Sequence, residues 1–147
     1  MSAIHSASTN ETQIRSLLGQ WEKTLRAKDT DGIMALCAPE FVCFDLAPSH
    51  KYGVDRARLA IATLFDALDE VLSYEVRDLD IMAGDDLGFC HASYRLHAKR
   101  KDGGVTDLWF RSTLCFRKVD GHWRVSHEHA SLPMDLATGK VLADLEP

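Results

Sequence analysis

A chain of 147 residues, 46% hydrophobic and 27% charged, has the length and make-up of one globular domain and is too short for two ordinary ones. Its 17 Lys and Arg against 22 Asp and Glu leave a formal charge of −5. No basic run exceeds Lys99-Arg100-Lys101, which argues against a nucleic-acid face. No apolar stretch approaches the roughly 20 residues of a membrane span. The opening MSAIHSASTNET lacks the basic-then-apolar order of a signal peptide, so a cytoplasmic protein is expected. Four cysteines, at 37, 43, 90 and 115, form no C-x-x-C pair. Each sits in an apolar pattern and reads as a reduced, buried thiol.

In chain order, residues 1–9 read as a disordered leader, followed by a single domain over 10–147. Asn10 with Gln13 resembles a capping box. Ile14, Leu17, Leu18, Trp21 and Leu25 then repeat on one helical face over about 11–27. Asp29 can cap a second, shorter helix through Cys37, with Pro39 at its end. Phe41 to Phe44 form a short strand stopped by Pro48. Gly53 precedes a third helix whose core face is Ala57, Ile61, Leu64, Phe65 and Leu68.

After residue 72 the apolar period changes to two. Four strands fit, at about 73–82, 87–99, 106–118 and 122–132. Gly84-Asp85-Asp86, Asp102-Gly103-Gly104 and Asp120-Gly121 separate them, and connections this short make neighbours antiparallel. Helices at the front and a meander at the back give an α+β fold, with three N-terminal helices packed on a curved, mainly antiparallel sheet. A cavity between the helices and the sheet is the natural binding site.

The segment RSTLCFRKVDGHWRVSHEHASLPMDLATGKVLADLEP carries the most specific pattern: an R-x-T strand, a D-G turn, W-R-x-x-H-x-H-x-S-x-P and a TGK tail. It resembles the SnoaL-like, YybH-type branch of the nuclear transport factor 2-like superfamily, whose cone-shaped fold is shared with ketosteroid isomerases. The strand is also similar to one in the association domain of calcium/calmodulin-dependent kinase. From Thr12 onward the resemblance covers nearly the whole chain. The isomerase pattern aligns LCAPEFVCFDLAP without a gap, which implies that Asp45 stands at the catalytic base. The same register puts Trp21 where the isomerase has an oxyanion-holding Tyr. Indole N–H is a far weaker acid than phenol, and no second acidic donor is matched.

The residues themselves leave alternatives open. Asp45 ends an apolar strand: a base if it faces a dry cavity, a solvated turn acid otherwise. Trp21 lies on the apolar helix face, as core, cavity wall or donor. Trp123 and Val125 mark one face of the last strand as inward, and strict alternation adds His127 and His129 to it. These imidazoles suit acid–base chemistry, ligand hydrogen bonding or plain structural roles. A metal site needs a third ligand, which is not assignable, so none is expected.

Arg111 shares a face with Trp109, Thr113 and Cys115 and is expected beside His127. It would bind a carboxylate or polarise a carbonyl, or else pair with Asp107. Tyr94, between Ala92 and Leu96, points inward as core or as a phenol donor. His91 and His97 share the outer face with Arg95. Glu128, with Arg124 and Ser126, is expected outside. The opposite face of the 106–118 strand, from Leu108 through Phe110 and Leu114 to Phe116, is also apolar, which implies a homodimer through the outer face of the sheet.

Two functions follow. One is a cofactor-free enzyme that binds a small apolar carbonyl compound, with Asp45, His127 or His129 moving a proton while Arg111, Tyr94 or Trp21 holds the enolate and Trp109 helps to line the site. The other is a binding or oligomerisation module without turnover.

Overall fold

The computed structural model describes the backbone of residues 2–147 and side chains from residue 9 onward. The leader expected over residues 1–9 therefore lies almost wholly outside the fully described residues. Helix α1 spans Ser2–Arg26 and buries the predicted face of Ile14, Leu17, Trp21 and Leu25. Asn10 is not its cap. It lies within the helix, 4% exposed, and its Nδ2 donates to the Gly84 carbonyl at 3.0 Å. That bond ties the helix to the turn after β2 (Leu68–Ala83).

Helix α2 is Thr30–Ala35, capped as predicted by Asp29, whose carboxylate accepts the Gly32 N–H at 2.8 Å. Strand β1, Cys37–Phe44, starts earlier than expected and contains Pro39. A proline without an N–H is tolerated there because β1 is an edge strand. Helix α3, Val54–Ala67, runs directly into β2, so β2 begins well before residue 73. Strands β3 (Leu87–Arg100), β4 (Val105–Val119) and β5 (His122–Ser131) complete the meander. Asp120 and Gly121 have φ of 51° and 79°, the two positive values that a tight hairpin turn needs.

The five strands form one open sheet in the order β1-β5-β4-β3-β2. All neighbours are antiparallel except β1, which lies parallel to β5. Helix α1 packs on β2 and β5, and α3 on β1 and β2, so the helical layer covers one face. The core between the layers includes Ile14, Ile33, Phe65, Leu68, Cys90, Leu114, Phe116 and Val125.

Which residues face this core differs from the sequence reading on two strands. On β3 the expected set, Ala92, Tyr94 and Leu96, is inward. On β4 the inward set is Ser112, Leu114 and Phe116, at 4%, 2% and 1% exposure. The face assigned to a second subunit is thus the one under the helices. Trp109, Arg111, Thr113 and Cys115 point outward.

On β5, Trp123 and Val125 are inward as expected, at 5% and 0% exposure. The register with β4 then slips between Cys115 and Phe116: Val125 faces Phe116, but His127 faces Cys115. Ser126 is the extra residue of a bulge, held by its Oγ–H to the Cys115 carbonyl at 3.1 Å. Beyond it the alternation is inverted. Glu128 and Ala130 turn inward, opposite Leu114 and Ser112, and His127 and His129 turn outward.

Candidate functional site

The bulge turns a half-buried carboxyl group to the core side of the sheet. Ser112 Oγ–H donates to Glu128 Oε1 at 3.2 Å, and Ser112 is itself buried. Burial, followed by the nearby negative charge of Asp45, pushes the Glu128 carboxyl up to about 7, against a smaller opposing effect of the Ser112 hydrogen bond. The charge of Glu128 is felt across the interior, by Cys37, Cys43, Tyr74, Cys90 and Tyr94. Burial dominates at all of these groups. It raises the Cys37 thiol to about 12 and the Cys90 thiol to about 11, so these cysteines are inert hydrophobes.

Tyr94 is 4% exposed, stacks on Phe110 with ring centroids 5.5 Å apart, and lies 5.7 Å from the Tyr74 ring. Its hydroxyl is buried without a hydrogen-bond partner. The adjoining Cys90 thiol is at most a weak one. An orphaned phenol facing an acidic interior is a donor awaiting an acceptor. Trp21 is buried in the same core, 8% exposed, on the wall formed by α1.

Asp45 follows β1 and is exposed; its Oδ1 accepts the Leu46 N–H at 2.7 Å. With Phe44, His50, Lys51, His129 and Ala130 it lines a hollow of about 550 Å³. Ala130 is the inward residue two along from Glu128, but Glu128 does not itself line this hollow.

The remaining expected site residues stand on the outer face. His127 Nδ1 lies 2.7 Å from the Val42 carbonyl, and its ring meets the edge of Phe44 at 4.9 Å. That is a structural role, consistent with one of the readings open from sequence. His129 lies 5.3 Å from the same Phe44 ring. Arg111 is exposed and is not near His127: its partner on β5 is Ser131, whose Oγ accepts from Nε at 2.8 Å. Trp109, 5% exposed, is covered by the Arg77 guanidinium 4.5 Å above its ring, and its backbone N–H donates to Ala143 at 2.8 Å. Asp45 and Tyr94 thus interact with the Glu128 carboxyl through its charge, while His127, His129, Trp109 and Arg111 stand on the other face. Among the described residues no third ligand joins His127 and His129 in a metal-binding group.

Glu128 was missed because strict alternation placed it outside. One signal was available: Val125 and Ala130 are both core-type residues at an odd separation, which only an inserted residue can put on one face.

The sequence model of the SnoaL-like domain matches residues 14–135. The chain belongs to the SnoaL-like domain family. Among solved structures, this SnoaL-like protein is similar to a nuclear transport factor 2-like protein of unknown function from Pseudomonas putida, with 29% identity and a TM-score of 0.86 over 96% of this chain and 99% of that one. A proposed dehydratase of the same fold family from Streptomyces avermitilis aligns with 13% identity and a TM-score of 0.75, over 87% and 99% of the two chains. A proposed calcium/calmodulin-dependent protein kinase II association domain from Xanthomonas campestris aligns with 18% identity and a TM-score of 0.71, over 80% and 84%. The last two likenesses speak for the fold alone. Curated proteins give no match. No helix among the described residues is long and apolar enough to cross a membrane.

Proposed function

We propose that this SnoaL-like protein binds a small, mostly apolar carbonyl compound against the inner face of the sheet and moves a proton on it without a cofactor. Isomerisation, cyclisation and dehydration all fit that scheme. The observation that carries it is the interior Glu128 carboxyl, raised to about 7 by burial and Asp45. A general acid–base works best when its proton affinity matches the ambient pH, because it is then present in both forms. The Tyr94 hydroxyl, with only the weakly interacting Cys90 thiol beside it, supplies a hydrogen bond to the developing enolate oxygen. Asp45 keeps its place in this reading at the mouth, where its charge holds Glu128 basic enough to accept a proton.

The test is turnover of a panel of enones and β-keto compounds. Glu128→Gln should lower kcat by about 100-fold or more, the usual weight of a positioned acid–base. The wild-type rate should titrate with an inflection near 7. Tyr94→Phe should lower kcat by about tenfold. A folded Glu128→Gln protein with unchanged turnover would sink the proposal.

A second reading, a binding module without chemistry, draws support from the placement of two hollows at the edge and outer face of the sheet. Saturable binding from this panel without rate dependence on Glu128 would favour it. Under either reading we propose a homodimer, through the outer-face patch where Met82 (59% exposed) pairs in register with Phe89 (40%), beside Leu87 (68%).

A further inference from the structure

The outer face of the sheet carries a second hollow, of about 420 Å³, whose lining includes His91, Ser93, Arg111, Thr113, His129 and Ser131. The strand register explains its composition. Arg111 stands opposite Ser93 on one side and Ser131 on the other, and Thr113 stands opposite His91 and His129. Two adjacent rows across the sheet thus present a guanidinium between hydroxyls and a hydroxyl between imidazoles. Every one of these side chains can donate a hydrogen bond.

Arg111 differs from most of its neighbours in one respect. On the same face, Arg77 pairs with Glu75, Arg95 with Asp107, and Arg117 with Glu40. Arg111 has no carboxylate within ion-pair distance among the described residues. Its Nε is spent on Ser131 Oγ, which fixes the plane of the fork, and neither terminal nitrogen has a protein acceptor among those residues. Arg56 and Arg124 also lack a carboxylate partner among the described residues, but of these three arginines only Arg111 lines this hollow.

We propose that this hollow is a binding site for a small molecule bearing one carboxylate, held by the Arg111 fork and the flanking Ser93 and Thr113 hydroxyls. A planar carboxylate matches two parallel guanidinium donors. A compact dianion matches less well, because Asp78 also lines the hollow and opposes a second negative charge. The volume suits a ring-sized molecule. The hollow opens on the outer face; its lining extends to Ser112, the partner of Glu128, but the carboxylate site does not depend on the chemistry proposed at Glu128.

The test is titration of the full chain with benzoate, followed by the ring signals of His91 and His129 in nuclear magnetic resonance spectra. Benzoate should shift both rings saturably. Benzyl alcohol and inorganic phosphate should bind at least tenfold more weakly. Arg111→Met should weaken benzoate at least tenfold, and Arg111→Lys, which keeps the charge but loses the fork, should fall between. Tyr94→Phe, which alters only the interior, should leave benzoate binding unchanged. Absence of saturable shifts, equal affinity for phosphate, indifference to Arg111→Met, or loss of binding in Tyr94→Phe would each overturn the assignment.

Discussion

Glu128 couples the site to stability through its proton. Its pKa in the folded chain is raised from 4.5 to about 7. Below pH 4.5 the folded and unfolded chains both hold the proton and the group costs nothing. As pH rises from 4.5 towards 7, the unfolded chain releases it first, so the folded chain binds more protons and stability falls with pH. The loss is complete above 7 and is on the order of 2–3 kcal/mol. Glu128→Gln should therefore stabilise the protein at pH 8, have little effect at pH 4, and flatten the profile between them. Urea unfolding at a series of pH values checks this. Asp45→Asn should act in the same direction with a smaller effect, because that charge is the second cause of the shift. At this scale the sequence was partly legible. Tyr94 and Trp21 were readable as inward because their neighbours are apolar at the right period. A carboxylate flanked by imidazoles reads as solvent-facing by every compositional rule, and only the local register says otherwise.

The elements themselves followed closely from pattern and turn chemistry, because period, caps and Asp-Gly turns are local signals. What local signals do not carry is face. Ser126 shows how a single inserted residue redistributes four side chains, sending Glu128 and Ala130 to the core and His127 and His129 to the outside. On β4 the choice of face was open to argument: Leu114 and Phe116 are better core residues than Arg111 and Thr113, and the apparent partnership with the last strand outweighed them. Deleting Ser126 should restore strict pairing and force either Trp123 and Val125 or Glu128 and Ala130 to the wrong face. A loss of several kcal/mol, or failure to fold, is expected. Ser126→Ala keeps the residue count and removes only the bond to Cys115, for a cost of about 1 kcal/mol. Denaturant midpoints of the two variants separate geometry from hydrogen bonding.

For the molecule as a whole, the order of helices and meander strands in the sequence implies the α+β architecture, whereas the parallel pairing of β1 with β5 has no sequence signature. Association belongs to this scale too. If the patch around Phe89 is the dimer contact, Phe89→Asp should shift sedimentation from dimer to monomer without changing the circular dichroism spectrum, while Leu136→Asp, on the 88% exposed tail residue, should leave the dimer intact. The pairing of β1 with the last strand also sets a timetable. Chains leave the ribosome amino end first, at about 5–20 residues per second. Apart from a bridge between Cys43 and Tyr52, the Cys37–Phe44 segment lacks its strand neighbour until His122–Ser131 has been made. For several seconds, on that rate, Phe41 and Cys43 stay outside any completed sheet. A nascent-chain chaperone that masks this segment would have its longest opportunity here, and the docking of β1 beside β5 would complete the sheet last.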